Sequence, residues 1–209
     1  MDNEAVKNRV LMKCTTFVLL AMFFLGHAAE AQTDTLSYGL QFKGDRVGSL
    51  TAIKTKTNKK TTLYDVQSET VIHFLGKTTI KTSLKVVYRN GILQNSQYSV
   101  TKNGSAYKTT TIDRVGEKYH MNHNGDKSII STPIYYSAAR LYFDEPDKVK
   151  TVFAELEGVG HKVHKTKENI YEIDDSENGK TNTYIYQNGI LQEGVFKHTL
   201  YSFKLFKNK

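Results

Sequence analysis

The chain has 209 residues, 29 of them Lys or Arg against 21 Asp or Glu, for a formal charge of +8 with His neutral. At 39% hydrophobic and 24% charged, with 13 Tyr and 10 Phe, it has enough apolar and aromatic mass to bury a core, which excludes the disordered class. A single Cys excludes a disulfide scaffold, and the length suits one or two small domains.

The N-terminal segment is a different material from the rest. Lys7, Arg9 and Lys13 are followed by the apolar run Thr15 to Gly26 and then by Ala29-Glu30-Ala31, a small-x-small signature. The apolar run is well short of the roughly 20 residues that cross a bilayer. The pattern predicts a signal peptide over 1–31, cleaved after Ala31, with export to the periplasm or cell surface and no transmembrane segment in the mature chain. Cys14 precedes the apolar run, whereas a lipid-attachment cysteine follows it, so cleavage would discard it with the leader. The remaining chain, 32–209, would carry no thiol nucleophile and no cysteine metal site. Lys7, Arg9 and Lys13 are balanced by Asp2, Glu4 and Glu30, so that chain keeps the whole +8.

From Leu36 onward alternation dominates. Leu36, Tyr38, Leu40 and Phe42 share one parity, as do Tyr64, Val66, Ile72 and Phe74, and then Ile80, Leu84, Val86 and Tyr88. Period two means strands with one buried face. Between these runs lie Asn90-Gly91, Asn103-Gly104, Asn124-Gly125, Asn178-Gly179 and Asn188-Gly189, each suited to the positive φ angles of a type I′ hairpin. The spacing predicts a single antiparallel meander in one domain. The octet Val87 to Gln94 (VYRNGILQ) returns as Ile185 to Gln192 (IYQNGILQ), which reads as the same strand, turn and strand used twice.

The interval Pro133 to Gly160 departs from this pattern. Ile134, Ala138, Leu141 and Tyr142 have helical spacing, which predicts a short helix near Tyr135 to Tyr142. After Pro146, Val149, Val152, Phe153 and Leu156 also fit a helix, while Thr151 to Glu155 (TVFAE) fits a short strand equally well. Strands resume from Lys162 through Tyr171, Ile173, Tyr184 and Tyr186 to Tyr201, Phe203 and Leu205.

No catalytic, cofactor or metal motif emerges. His120-x-x-His123 and His161-x-x-His164 would face opposite sides of a strand, so they read as solvated strand-end histidines. His73 falls on the face opposite Ile72 and reads as a surface residue. There is no Gly-x-Ser-x-Gly elbow. Asp144-Glu145 before Pro146 and Asp174-Asp175 in a hairpin loop read as turn and cap carboxylates, with a hydrolase using Asp144 or Glu145 and a nearby His as the weakest option. Lys54 to Thr62 and His161 to Lys167 read as basic loops whose field would draw an anionic envelope component. The absence of a basic-aromatic stacking motif argues against nucleic acid.

The segments Tyr38 to Gly48 (YGLQFKGDRVG), Tyr88 to Leu93 (YRNGIL), Leu141 to Pro146 (LYFDEP), Val152 to Glu155 (VFAE) and Asn182 to Leu191 (NTYIYQNGIL) together resemble an uncharacterised family of exported bacterial proteins labelled only as a domain of unknown function. The opening strands, with Gly48, are also similar to the open β-barrel of lipoprotein carriers. The first resemblance implies an exported β-rich domain and transfers no catalytic residues. The second implies an open or incomplete β-barrel around an apolar cavity, with Pro133 to Pro146 as lid or plug. Tyr135, Tyr136, Leu141, Tyr142 and Phe143 would then touch either core or ligand. The expectation is a mainly β, non-enzymatic envelope protein that binds a lipid-like amphipathic ligand. The alternative is a structural or protein-interaction module engaged through an exposed strand edge or apolar patch.

Overall fold

The structure, a computed structural model, describes residues 31–73, 76–175, 179–197 and 202–208. Residues 1–30, with Cys14 and the signature residues Ala29 and Glu30, together with Phe74, Asn178 and Tyr201, lie outside the described residues.

Among the described residues, fourteen strands form one antiparallel sheet. The first eight are β1 (Gln32–Phe42), β2 (Asp45–Lys56), β3 (Thr61–His73), β4 (Lys77–Arg89), β5 (Ile92–Lys102), β6 (Ser105–Val115), β7 (Lys118–His123) and β8 (Asp126–Ile130). The last six are β9 (Thr151–Ala154), β10 (Val159–Lys167), β11 (Ile170–Asp174), β12 (Thr181–Gln187), β13 (Ile190–Lys197) and β14 (Ser202–Lys207). Every neighbour in the sheet is also a neighbour in sequence except one: β1 pairs with β14, Leu40 opposite Leu205 and Phe42 opposite Phe203. The meander is thus joined through its terminal strands, and its two free edges are β8 and β9, in mid-sequence.

The alternation sets the inner face. Tyr38, Leu50, Ala52, Tyr64, Val66, Leu84, Val86 and Tyr88 are buried in register across β1 to β4. Asn90-Gly91, Asn103-Gly104, Asn124-Gly125 and Asn188-Gly189 all take positive φ at both positions, as type I′ turns demand. The turn asparagines do a second job: Asn103 and Asn124 accept the amides of Thr79 and Thr109 at 2.8 and 2.7 Å, tying each turn to an adjacent strand.

The two free edges overlap. Thr110 and Met121 lie on the buried face of β6 and β7. The Thr110 hydroxyl donates to the Leu156 carbonyl in the β9–β10 turn at 2.8 Å. Gly158 in that turn, with φ of 72°, sits so close to Met121 that a Cβ would strike its sulfur. The wall therefore closes by laying one edge against the inner face of the other, an incomplete barrel.

Between the edges, residues 131–150 fold back into the barrel as a plug. The expected helix at Tyr135 to Tyr142 shrinks to one 3-10 turn, Ala138–Arg140, because the flanking backbone is already bonded to the wall. Leu93 N–H donates to the Ile134 carbonyl at 2.9 Å, Phe153 N–H to Tyr136 at 3.0 Å, and Leu191 N–H to Tyr142 at 3.2 Å. The open alternative after Pro146 resolves as strand: Val152 pairs with His161 in β9 and β10. The second basic run is likewise strand β10 rather than a loop.

Candidate functional site

The two octets hold the plug by the same device. Each strand pair shifts register just before its tyrosine, between Val87 and Tyr88 and between Ile185 and Tyr186. Gln94 and Gln192 each donate to the carbonyl two residues back, of Ile92 and Ile190, at 3.0 Å. The tyrosines then reach inward: Tyr88 hydroxyl donates to Ser137 Oγ at 2.9 Å and Tyr186 hydroxyl to the Leu141 carbonyl at 2.8 Å. Bulges re-aim side chains and free ladder groups, and here both freed amides and both tyrosines point at the plug.

A charged knot secures the plug's far side. Asp144 accepts from Lys54 at 2.7 Å, from Arg140 Nε at 3.1 Å and from the Tyr64 hydroxyl at 3.1 Å. Arg140 also donates to the Tyr135 carbonyl at 2.6 Å and lies over the Tyr136 ring, 4.8 Å from its centroid. Burial opposes the charged form of Asp144, but Lys54 and Arg140 outweigh it and hold the carboxyl below its usual range. Lys54 is thus a structural cation with a side chain only 14% exposed, not part of a solvated rim. Glu145 accepts from Tyr171 at 2.7 Å. Among the described residues the hydrogen-bond and ion-pair partners of the Asp144 and Glu145 carboxylates are Lys54, Arg140, Tyr64 and Tyr171.

Glu155 is the buried exception to pairing by charge. It is 1% exposed and accepts the amides of Ala138 and Ala139, both at 3.2 Å. Burial raises its carboxyl above the ordinary value despite those hydrogen bonds. Of the histidines, His120 and His164 are exposed as expected, but His161 is mostly buried and bonded to Glu157 at 2.6 Å, and His123 Nδ1 meets the Thr110 hydroxyl at 2.8 Å. Among the described residues no group of three or more His, Cys, Asp and Glu is placed to hold a metal ion.

Two spaces flank the plug, and the candidate residues divide between them. Tyr135 and Tyr136 line a groove of about 560 Å³ at the overlapping seam, together with Ile130, Pro133, Val149 and Phe153. Lys148 and Lys150 stand at its rim. Tyr135 is 59% exposed, and Val159, another exposed large apolar side chain, lies between Gly158 and Gly160, which line the groove. Leu141 and Tyr142 instead line a recess of about 170 Å³ inside the barrel, facing Leu50, Leu84, Tyr98 and Tyr184. Phe143 faces neither; it packs beside Tyr64 and under Lys54 in the core. Tyr136, Leu141 and Phe143 are buried. Helical spacing marks Val149 and Phe153, and alternation marks Tyr184, only as apolar positions, and Tyr98 is not singled out, because periodicity does not distinguish a wall residue that meets a void from one that meets a neighbour.

Residues 38–206 match the family described as Domain of unknown function (DUF6134). No curated protein matches the chain. Among solved structures, the chain is similar to a crystal structure described as a beta-barrel-like protein of domain of unknown function DUF1849 from Brucella abortus, with a TM-score of 0.52 at 10% identity, over 84% of this chain and 95% of that one. That likeness concerns the fold alone. No helix among the described residues is long and apolar enough to cross a membrane.

Proposed function

Because the chain belongs to the DUF6134 family, whose description assigns no activity, we propose a function from the geometry: an exported, non-enzymatic binding protein of the cell envelope that holds an apolar or amphipathic, lipid-like ligand in the seam groove. The observation that carries this reading is the groove itself. At about 560 Å³ it falls within the roughly 300–1,000 Å³ typical of small-molecule sites, whereas the interior recess, about 170 Å³, does not. Tyr135, exposed at the groove yet held at its carbonyl by Arg140, supplies an aromatic face on a fixed backbone. Lys148 and Lys150 suit an anionic head group. The leader pattern supplies the export.

The test is native mass spectrometry on protein purified gently from the envelope, followed by organic extraction, for the unaltered chain and for Tyr135→Ser. A stoichiometric extra mass that extracts as lipid and is lost in Tyr135→Ser supports the reading. A bare mass, together with no binding of added fatty acid or phosphatidylglycerol, overturns it.

One observation favours a second reading, a protein-interaction module. Strand β8 is a short free edge with Ile129 59% exposed, which suits addition of an extended peptide strand. Crosslinking from Ile129 to a peptide or protein in envelope preparations, with no lipid recovered, would select this alternative.

A further inference from the structure

The interior recess has chemistry of its own. Its wall is largely apolar, built from side chains such as Leu50, Leu84, Leu141 and Leu205, and is completed by Thr82 and three tyrosines, Tyr98, Tyr142 and Tyr184. Thr82 is bonded to Ser68 at 2.8 Å and the Tyr98 hydroxyl is engaged with Thr82, which leaves Tyr142 and Tyr184. Neither hydroxyl has a hydrogen-bond partner among the described residues. Neither is among the sealed, unpartnered polar atoms, which are Ser96 Oγ and Arg114 Nε, so both hydroxyls border open volume. Tyr184 is only 8% exposed, and its ring is fixed edge-on against Phe196 with centroids 5.8 Å apart. The Tyr142 ring is fixed in the same way against Tyr38, at 5.7 Å.

We propose that this recess is a second binding site, distinct from the seam groove, for an uncharged molecule the size of a six-membered ring that carries a hydrogen-bond acceptor such as a ketone or ester oxygen. The size follows from the volume: apolar cavities of about 150 Å³ admit benzene, and this one is about 170 Å³. The acceptor follows from the hydroxyls, because burying a pure hydrocarbon there would leave both donors without a partner. Burial raises both phenols well above their ordinary value, so each remains a neutral donor across the physiological range. Neutrality of the ligand follows from the wall, which contains no cation. Glu155 also lies close enough to raise Tyr142 further, which disfavours an anion. The recess extends to Thr82, toward the barrel end remote from the plug's charged knot. There, beyond the Ser68–Thr82 hydroxyl contact of 2.8 Å, the inward positions Thr70, Ile72 and Ile80 are only half-buried.

The test measures binding of cyclohexanone, methylcyclohexane and cyclohexanecarboxylate to the whole protein by ligand-observed NMR, in the unaltered chain, Tyr142→Phe, Tyr184→Phe and the double variant. Phenylalanine keeps the ring, and near-ultraviolet circular dichroism verifies the fold of each variant. Cyclohexanone is expected to bind about tenfold tighter than methylcyclohexane, with each single substitution cutting that preference about threefold and the double removing it. Equal binding of ketone and hydrocarbon, a preference that survives the double substitution, or carboxylate binding as tight as the ketone would overturn the assignment. Binding of none of the three would overturn it too, leaving a recess that holds water only.

Discussion

Leu93 and Leu191 occupy the same place in the two octets, and each sends its amide into the plug, to the Ile134 and Tyr142 carbonyls at 2.9 and 3.2 Å. The repeat is therefore a pair of clamps on one segment, whatever its origin. Tyr186→Phe removes the hydroxyl that serves the Leu141 carbonyl and leaves a buried acceptor unmet, a loss of about 1–3 kcal/mol. Tyr88→Phe leaves only a rotatable Ser137 hydroxyl and is expected to lose less, about 1 kcal/mol. Urea unfolding should show lowered midpoints at unchanged slope. Midpoints equal to that of the parent would mean that the clamps do not secure the plug.

Asp144→Asn strands Lys54 and Arg140 beneath the plug without their counter-charge. Because these side chains keep 14% to 27% exposure, the expected loss is about 2 kcal/mol, less than for a sealed pair. The Asp144 carboxyl sits below its ordinary value of 3.8 in the fold. Its contribution is therefore complete above that pH and is lost as the pH falls through the lower, folded value. The stability difference between the parent and Asp144→Asn should be flat near neutrality and shrink only below about pH 4.

Glu155 has the opposite sign. Its folded carboxyl titrates above the ordinary 4.5, so the burial cost is absent below that pH, grows as pH rises past it, and levels off once the folded group has ionised. Relative to Glu155→Gln, which stays uncharged, the parent should gain stability as the pH is lowered from 7 toward 4.5. A difference independent of pH over that interval would show that the carboxyl keeps its ordinary affinity for protons.

Gly158 bears on the seam. Gly158→Ala combines a left-handed backbone, costing about 1–2 kcal/mol for a residue with a Cβ, with a collision against Met121. Met121→Ala in the same chain should recover the collision part but not the backbone part, a coupling that a double-mutant cycle reads directly. Strict additivity would mean that the two residues do not touch.

Much of the wall was legible from alternation and the Asn-Gly turns, because a one-residue slip would turn Tyr38, Val66 or Leu84 outward. The plug was not. Ile134, Ala138, Leu141 and Tyr142 have helical spacing, but their backbone is bonded by Leu93, Phe153 and Leu191, partners distant in sequence that no local pattern reports. The candidate residues at 135–143 were found through resemblance. Their division between groove, recess and core depends on where the plug turns, which the 3-10 segment and Glu155 decide.

The pairing of β1 with β14 has a kinetic side. Strands β1 to β8 zip up between neighbours in the chain, but Tyr38 meets Lys207 only after nearly the whole sequence has been laid down. Contacts of such long sequence separation form late and slow the reaction. Until then β1 remains an open edge able to recruit another chain, so the last strand to arrive is also the one that covers the long edge of β1, leaving only the short strands β8 and β9 at the sheet's ends.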